Sequence, residues 1–254
     1  MINSKIIIAN WKLNPETPRE AKVLFNNIKK QVVSFKKTEI IVAPPTVFLS
    51  LFDVSRSKKL FLAGQDVFWE KAGAFTGQIS PSSLKYIGVD YVIIGHSETR
   101  ALGDDNETIN KKIKLALKSG LKVVFCVGEL SRDNHGHYLK FIKEQINIGL
   151  KKVEKKYFKN LIIAYEPVWA VGRMARMADT PGDFLHNALF IKKILATLMD
   201  KKTAFSIPIL YGGSVDRKNV ASFLIEGEAD GILVGRSSLK IDDFNDILKI
   251  VNHA

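Results

Sequence analysis

Short apolar runs of strand length punctuate the chain at Lys5–Ala9, Glu39–Ala43, Leu60–Gly64, Tyr91–Ile94, Lys122–Val127, Leu161–Tyr165, Ile207–Leu210 and Gly231–Val234. A run such as Leu161-Ile162-Ile163 is apolar without alternation, the pattern of a strand buried on both faces. Between the runs the period is mostly helical. Ala21, Leu24, Phe25 and Ile28 share one face of Glu20–Val33, and Ile109, Ile113, Ala116 and Leu117 share one face of Glu107–Lys118. Strand, helix, strand at this rhythm predicts right-handed βαβ units and a parallel sheet. An open doubly wound sheet would carry a Gly-rich phosphate fingerprint in its first βα turn. That turn here is Asn10-Trp11-Lys12-Leu13-Asn14, without glycine. The expected fold is therefore α/β, a (β/α)8 barrel of eight parallel strands forming one domain over residues 1–254.

The barrel gives the polar residues a place. Asn10 and Lys12 follow the first strand, His96, Ser97 and Glu98 the fourth, and Glu166 the sixth. Gly212-Gly213-Ser214 follows the seventh and Gly235-Arg236 the eighth. All emerge at the C-terminal face of the barrel, where barrel catalysis occurs. Taken singly, Glu166 reads as a strand cap, Lys12 as a solvated loop lysine, His96 as a capping or core histidine, Asn10 as a turn residue and Gly212-Gly213 as a tight turn. Their convergence on one face is what a catalytic site requires. A Glu serves as general base, a His with a Lys stabilises an oxyanion, and Gly-rich turns after the last two strands expose N–H groups to a phosphate. With no dinucleotide fingerprint or metal-ligand cluster beside them, the set suits cofactor-free proton transfer next to the carbonyl of a small sugar phosphate.

Composition narrows the alternatives. The chain has 254 residues and a net charge of +12, from 38 Lys+Arg against 26 Asp+Glu. Such a field attracts nucleic acid, anionic lipid or a phosphorylated metabolite. The lysines at 111, 112, 114 and 118 and at 151, 152, 155 and 156 lack interleaved aromatics, so they read as solvated helix faces. The single cysteine, Cys126, excludes an intrachain disulfide. His135 and His137 sit in a polar loop without a third ligand and read as surface residues, with no metal. The N-terminal apolar run is too short for a signal peptide, and none approaches the ~20 residues that span a bilayer. A soluble, cytoplasmic protein is expected, binding neither nucleic acid nor membrane.

The chain resembles the triosephosphate isomerase family along its length. The matching segments are Ala9–Asn14, Gly73–Ser80, Ile93–Glu98, Cys126–Glu129, Ala164–Gly172, Tyr211–Ser214 and Asp230–Gly235. The resemblance implies a TIM barrel that interconverts dihydroxyacetone phosphate and D-glyceraldehyde 3-phosphate through an enediol(ate). It implies that Glu166 moves the proton, that neutral His96 polarises the carbonyl, and that Lys12 and Asn10 hold the oxygens. Backbone amides at Gly172, Ser214, Gly235 and Arg236 would bind phosphate. Val171 and Leu233 would clamp Glu166, Trp169 and Glu129 would anchor a lid, and Tyr211 would latch it. Glu98 would organise Lys12 or His96. Thr76, in an interface loop, would reach the Asn10 and Lys12 of a second copy in a homodimer.

Some positions depart from the family pattern. After Gly172 the family typically continues Thr-Gly-Lys-Thr-Ala, whereas this chain runs from Arg173 through Asp179 before Thr180-Pro181, longer and without the tip glycine. Arg236 replaces a glycine, Thr99 an Arg and Asp104 a Glu. The lid change points to altered lid kinetics or to a tolerated length variant, and Thr99 and Asp104 bear on dimer stability. The competing readings are another phosphosugar barrel isomerase, opposed by the Glu166 segment, and a catalytically impaired basic binding protein, opposed by retention of Asn10, Lys12, His96 and Glu166.

Overall fold

The computed structural model describes residues 4–35, 38–55, 57–133, 135–170 and 179–254. Its strands are β1 (Lys5–Asn10), β2 (Thr38–Ala43), β3 (Leu60–Gly64), β4 (Tyr91–Ile94), β5 (Lys122–Val127), β6 (Leu161–Tyr165), β7 (Ile209–Tyr211) and β8 (Gly231–Val234). They follow one another in chain order round a closed, all-parallel barrel, β8 pairing with β1 through Ile7 and Ile232. Seven of the strands lie within a residue of the apolar runs. β7 starts two residues later than its run, because Ile207 ends the preceding helix and Pro208 has no N–H for the ladder.

The helices around the barrel are α1 (Pro18–Val32), α2 (Pro81–Tyr86), α3 (Ser97–Ala101), α4 (Asn106–Lys118), α5 (Tyr138–Gly149), α6 (Pro181–Leu198), α7 (Lys201–Ser206), α8 (Val220–Ile225) and α9 (Ile241–His253). Local chemistry starts α1 and α6. Thr17 and Glu20 form a reciprocal capping box on α1, with Pro18 in the first turn. Thr180 caps α6 by accepting from the Asp183 N–H, ahead of Pro181. Between β2 and β3 the chain makes only a 3₁₀ turn, Thr46–Leu51, after Pro44-Pro45.

The strands separate two apolar layers. Every second side chain points inward, so Ile6 and Ile8, Tyr91 and Ile93, Val124 and Cys126, Ile162 and Ala164 fill the barrel. Their neighbours, such as Ile7, Ile94, Phe125 and Tyr165, pack outward beneath the helices. Continuous apolar runs are the result of burial on both faces.

One buried cation ties the outer ring to the barrel. Lys112 of α4, 4% exposed, donates to Asp66 after β3 at 2.7 Å and to Asp104 at 2.6 Å. Burial raises the Asp66 carboxyl above the usual range, against the pull of Lys112. Replacing Lys112 by Met leaves two carboxylates without their shared cation. Urea unfolding at pH 7 should show a loss of about 3 kcal/mol. The loss should shrink as pH falls into the carboxylate range, because protonation removes the mutant's stranded charges.

Candidate functional site

Inward alternation continues past the strand ends and decides what lines the mouth. Above Ile8 the next inward position is Asn10, above Ala164 it is Glu166, and above Ile93, Cys126, Leu210 and Leu233 come Gly95, Gly128, Gly212 and Gly235. Four glycines, with Ala43 above Ile41, leave the barrel top open for Asn10, Glu166 and Gln65, the last standing above Ala63. Two of these glycines are fixed by close approach. A Cβ on Gly128 would fall 1.7 Å from the Glu166 carbonyl oxygen, and one on Gly212 would fall 2.9 Å from Glu166 Cγ. The backbone on either side thus grips Glu166.

Glu166 is 2% exposed. Its Oε2 accepts from the Ser97 N–H at 3.0 Å, while Oε1 lies 3.4 Å from His96 Nε2 and has no hydrogen-bond partner among the described residues. A buried carboxylate oxygen without a donor is costly. Cys126 lies beneath it, its thiol pushed well up by burial and then by the Glu166 charge, so it stays a packed thiol.

His96 stands at the N-cap of α3, where its Nδ1 accepts from the Glu98 N–H at 3.2 Å. With Nδ1 accepting from the backbone, Nε2 is the ring nitrogen left to donate, and it faces Glu166. Lys12 reaches the same space from β1. Its Nζ is 2.6 Å from Glu98 Oε1, and its side chain passes over Gly235. The Lys12 backbone is left-handed, with φ +54°. Two bonds hold it there: its N–H donates to Asn10 Oδ1 at 3.0 Å, and its carbonyl accepts from Gln65 Nε2 at 2.8 Å. Left-handed backbone costs a non-glycine residue about 1 kcal/mol, and strain of this kind clusters at functional sites.

Ser214, Gly235 and Arg236 share with Lys12 and His96 the lining of a cavity of ≈ 680 Å³. Lys240 adds a further cation to its wall. Asn219 donates to the Ser214 carbonyl at 2.9 Å, and the Ser214 hydroxyl donates to the Ala170 carbonyl at 2.9 Å. A wider, more open groove beside α1, lined by residues such as Pro15, Arg19 and Leu24, gathers none of the mouth residues.

Beside the mouth lies a buried polar hub. Glu129, 1% exposed, accepts from the Tyr165 hydroxyl at 2.9 Å, from Trp169 Nε1 at 2.8 Å and from Arg132 Nη2 at 3.2 Å. Arg132 also donates to the Tyr165 hydroxyl at 2.8 Å and to Asp179 Oδ1 at 3.2 Å. Asn187 of α6 donates to the same hydroxyl at 3.1 Å. Burial works against the Arg132 charge, but Tyr165, Asp179 and Glu129 more than offset it and hold the guanidinium above its usual range. Tyr211 stacks on Phe223 with centroids 3.7 Å apart, its hydroxyl pushed up by burial and then by Asp179.

The structure therefore brings Asn10, Lys12, His96, Glu98, Glu166, Ser214, Leu233, Gly235 and Arg236 to one mouth. Glu129, Trp169 and Tyr211 lie beside it, and Thr76 is in an exposed loop. Val171 and Gly172 lie outside the described residues. The sequence reading missed Gln65, Arg132, Tyr165, Asp179 and Asn187, which come from separate segments and share no spacing. The one available signal was Asp179, a carboxylate just before a Thr-Pro helix start. Among the described residues no group of three His, Cys, Asp or Glu side chains is placed to hold a metal ion.

The family model described as triosephosphate isomerase matches residues 5–251. Relatives named triosephosphate isomerase include one from Geotalea uraniireducens, 40% identical over 96% of this chain and 97% of its own length. Others come from Dictyoglomus thermophilum, 41% identical over 96% and 98%, and Thermoanaerobacter pseudethanolicus, 41% identical over 98% and 98%.

The helix-capping geometry fixes one observable. In ¹⁵N NMR at neutral pH, His96 should show a bare Nδ1 and a protonated Nε2. A signal from the opposite tautomer would contradict the cap.

Proposed function

The chain belongs to the triosephosphate isomerase family, interconverting dihydroxyacetone phosphate and D-glyceraldehyde 3-phosphate, and we propose that Glu166, His96 and Lys12 carry that reaction here. The observation behind this assignment is the bare Oε1 of Glu166 beside the Nε2–H of His96 in a mouth that also holds a lysine.

The proton to be moved sits on a carbon next to a carbonyl. Glu166 leaves the Ser97 N–H, takes that proton and returns it to the neighbouring carbon, so no net oxidation occurs. As the proton leaves, negative charge builds on the carbonyl oxygen. His96 Nε2–H donates to that oxygen and the ring takes back the hydroxyl proton of the neighbouring oxygen, so one carbonyl becomes a hydroxyl as the other forms, while Asn10 positions the oxygens. Lys12 supplies fixed positive charge to the phosphate and the enediolate. Its bond to Glu98 must yield for this, which gives Glu98 an organising role. The amides of Ser214, Gly235 and Arg236, with Gly172, hold the phosphate. Leu233, 3% exposed, and Val171 clamp the base. Trp169 on Glu129 anchors the lid and Tyr211 latches it. No cofactor is needed.

The working assembly is a homodimer. Leu13 is 90% exposed, Leu102 89% and Phe75 42%, apolar surface in or near the loops after β1, β3 and β4 that a second copy would cover. In that assembly Thr76 reaches the partner's mouth. None of the described helices is long and apolar enough to cross a membrane, and we place the enzyme in the cytoplasm with its phosphorylated triose.

Two measurements test this reading. Purified protein should turn over glyceraldehyde 3-phosphate, and Glu166→Gln, still folded, should lose about 10³-fold or more in kcat. A folded Glu166→Gln variant with wild-type turnover would sink the assignment. In sedimentation equilibrium the 28.4 kDa chain should run at twice its mass, and Phe75→Asp should shift it toward the monomer. A wild-type monomer with full activity would remove the dimer.

A further inference from the structure

Residues 171–178 are flanked by two groups that meet on one guanidinium. On the near side, Trp169 donates to Glu129 at 2.8 Å while the Arg132 guanidinium lies 4.7 Å from the centre of its ring. On the far side, Arg132 Nη1 is 3.2 Å from Asp179 Oδ1 and 3.4 Å from Asp183 Oδ2. Asp179 is 5% exposed, and its Oδ2 has no hydrogen-bond partner among the described residues. A carboxylate so placed is tolerated only with a cation beside it. The tie continues into the mouth: the Ala170 carbonyl, next to Trp169, accepts from the Ser214 hydroxyl.

We propose that Arg132 and Asp179 are positioning residues for substrate binding: their ion pair, with Trp169 seated on the same guanidinium, fixes the Trp169–Ala170 turn and through it Ser214. The inference rests on the reading of Ser214 as a phosphate-holding residue. Ser214 would hold phosphate equally in the ground and transition states, so loosening it raises KM and leaves kcat alone.

Acid separates positioning from stability. Burial pushes the Asp179 carboxyl up to about 6, with Asp183 and Glu129 adding to burial and Arg132 opposing it. The groups facing it are Arg132 and Glu129 from the segment after β5, Tyr138 of α5, Tyr165 ending β6, Asp183 of α6 and Tyr211 ending β7. Above about pH 6 Asp179 is charged and the pair is intact; below it the pair is lost. A carboxyl with a raised folded value binds its proton more tightly folded than unfolded. Falling pH through this window therefore does not destabilise the fold through Asp179, although it releases Arg132.

The experiment compares wild type, Asp179→Asn, Asp179→Glu, Arg132→Lys and the Arg132→Lys/Asp179→Asn double variant in KM, kcat and Tm between pH 5.5 and 8. At pH 7.5 Asp179→Asn should raise KM about 5-fold with kcat within about 2-fold, a coupling of ordinary size for a paired network. Asp179→Glu should restore most of the KM. The double variant should be no worse than the more affected single one. Wild-type KM should rise on acidification by an increment that Asp179→Asn lacks, while the ionisation of the substrate phosphate is common to both. Binding of inorganic phosphate, followed by calorimetry, should weaken in step with KM. That readout needs no turnover, so it separates failure of this inference from failure of the isomerase assignment. An Asp179→Asn variant with lowered Tm but wild-type KM, phosphate affinity and pH profile would show a purely structural pair and overturn the proposal. Independent, multiplying effects in the double variant would overturn it as well.

Discussion

A strand sends alternate side chains to opposite sides, and closing eight parallel strands into a ring gives one of those sides a fixed, small volume. Everything at the mouth follows from how that volume is filled. Below, Ile8, Ile93, Val124, Ile162, Leu210 and Leu233 occupy it among others. One layer up, four inward positions are glycine, and the space they leave is taken by Glu166, Asn10 and Gln65. The pocket is thus the top of the core with its side chains removed. Its floor is apolar and packed, and a carboxylate standing on such a floor is dry.

Three buried carboxylates then show how partners sort chemistry from scaffolding. Glu129 takes donors from Tyr165, Trp169 and Arg132 and has little left to offer a ligand. Asp179 shares Arg132 and keeps one oxygen bare, but it faces protein instead of the cavity. Glu166 rests one oxygen on a single backbone N–H and leaves the other beside His96. Burial is common to the three. Of the three, Glu166 alone combines an unmet oxygen with a place beside His96 at the mouth.

The sequence carried the barrel because its evidence is local and repeated. Double-sided burial writes itself as apolar runs, and helical faces write themselves at a different period. The one displaced strand, β7, moved because a proline was counted as an apolar residue when its missing N–H mattered more. The mouth residues were also legible, since a strand end is a position that can be read from the run before it. The hub was not. Arg132, Tyr165, Asp179 and Asn187 lie up to 55 residues apart and meet only because β5, β6 and α6 are neighbours in the ring. A lone arginine in a polar loop looks the same in sequence whether it is solvated or buried among three carboxylates. The tie from Gln65 to the Lys12 carbonyl was hidden for the same reason: backbone acceptors leave no mark on composition.

The order of strands round the ring has a consequence in time. Lys12 leaves from β1, while Gly235 and Arg236 leave from β8, and the two strands meet at the seam between the first and last parts of the chain. Their pairing spans more than 200 residues of sequence, the most entropically demanding closure in the molecule. A chain still growing, or refolding with that seam unzipped, can have nearly all its secondary structure and still hold Lys12 away from the Gly235–Arg236 turn. Activity therefore requires that seam to be closed. The mouth is whole only when the two ends of the polypeptide have found each other.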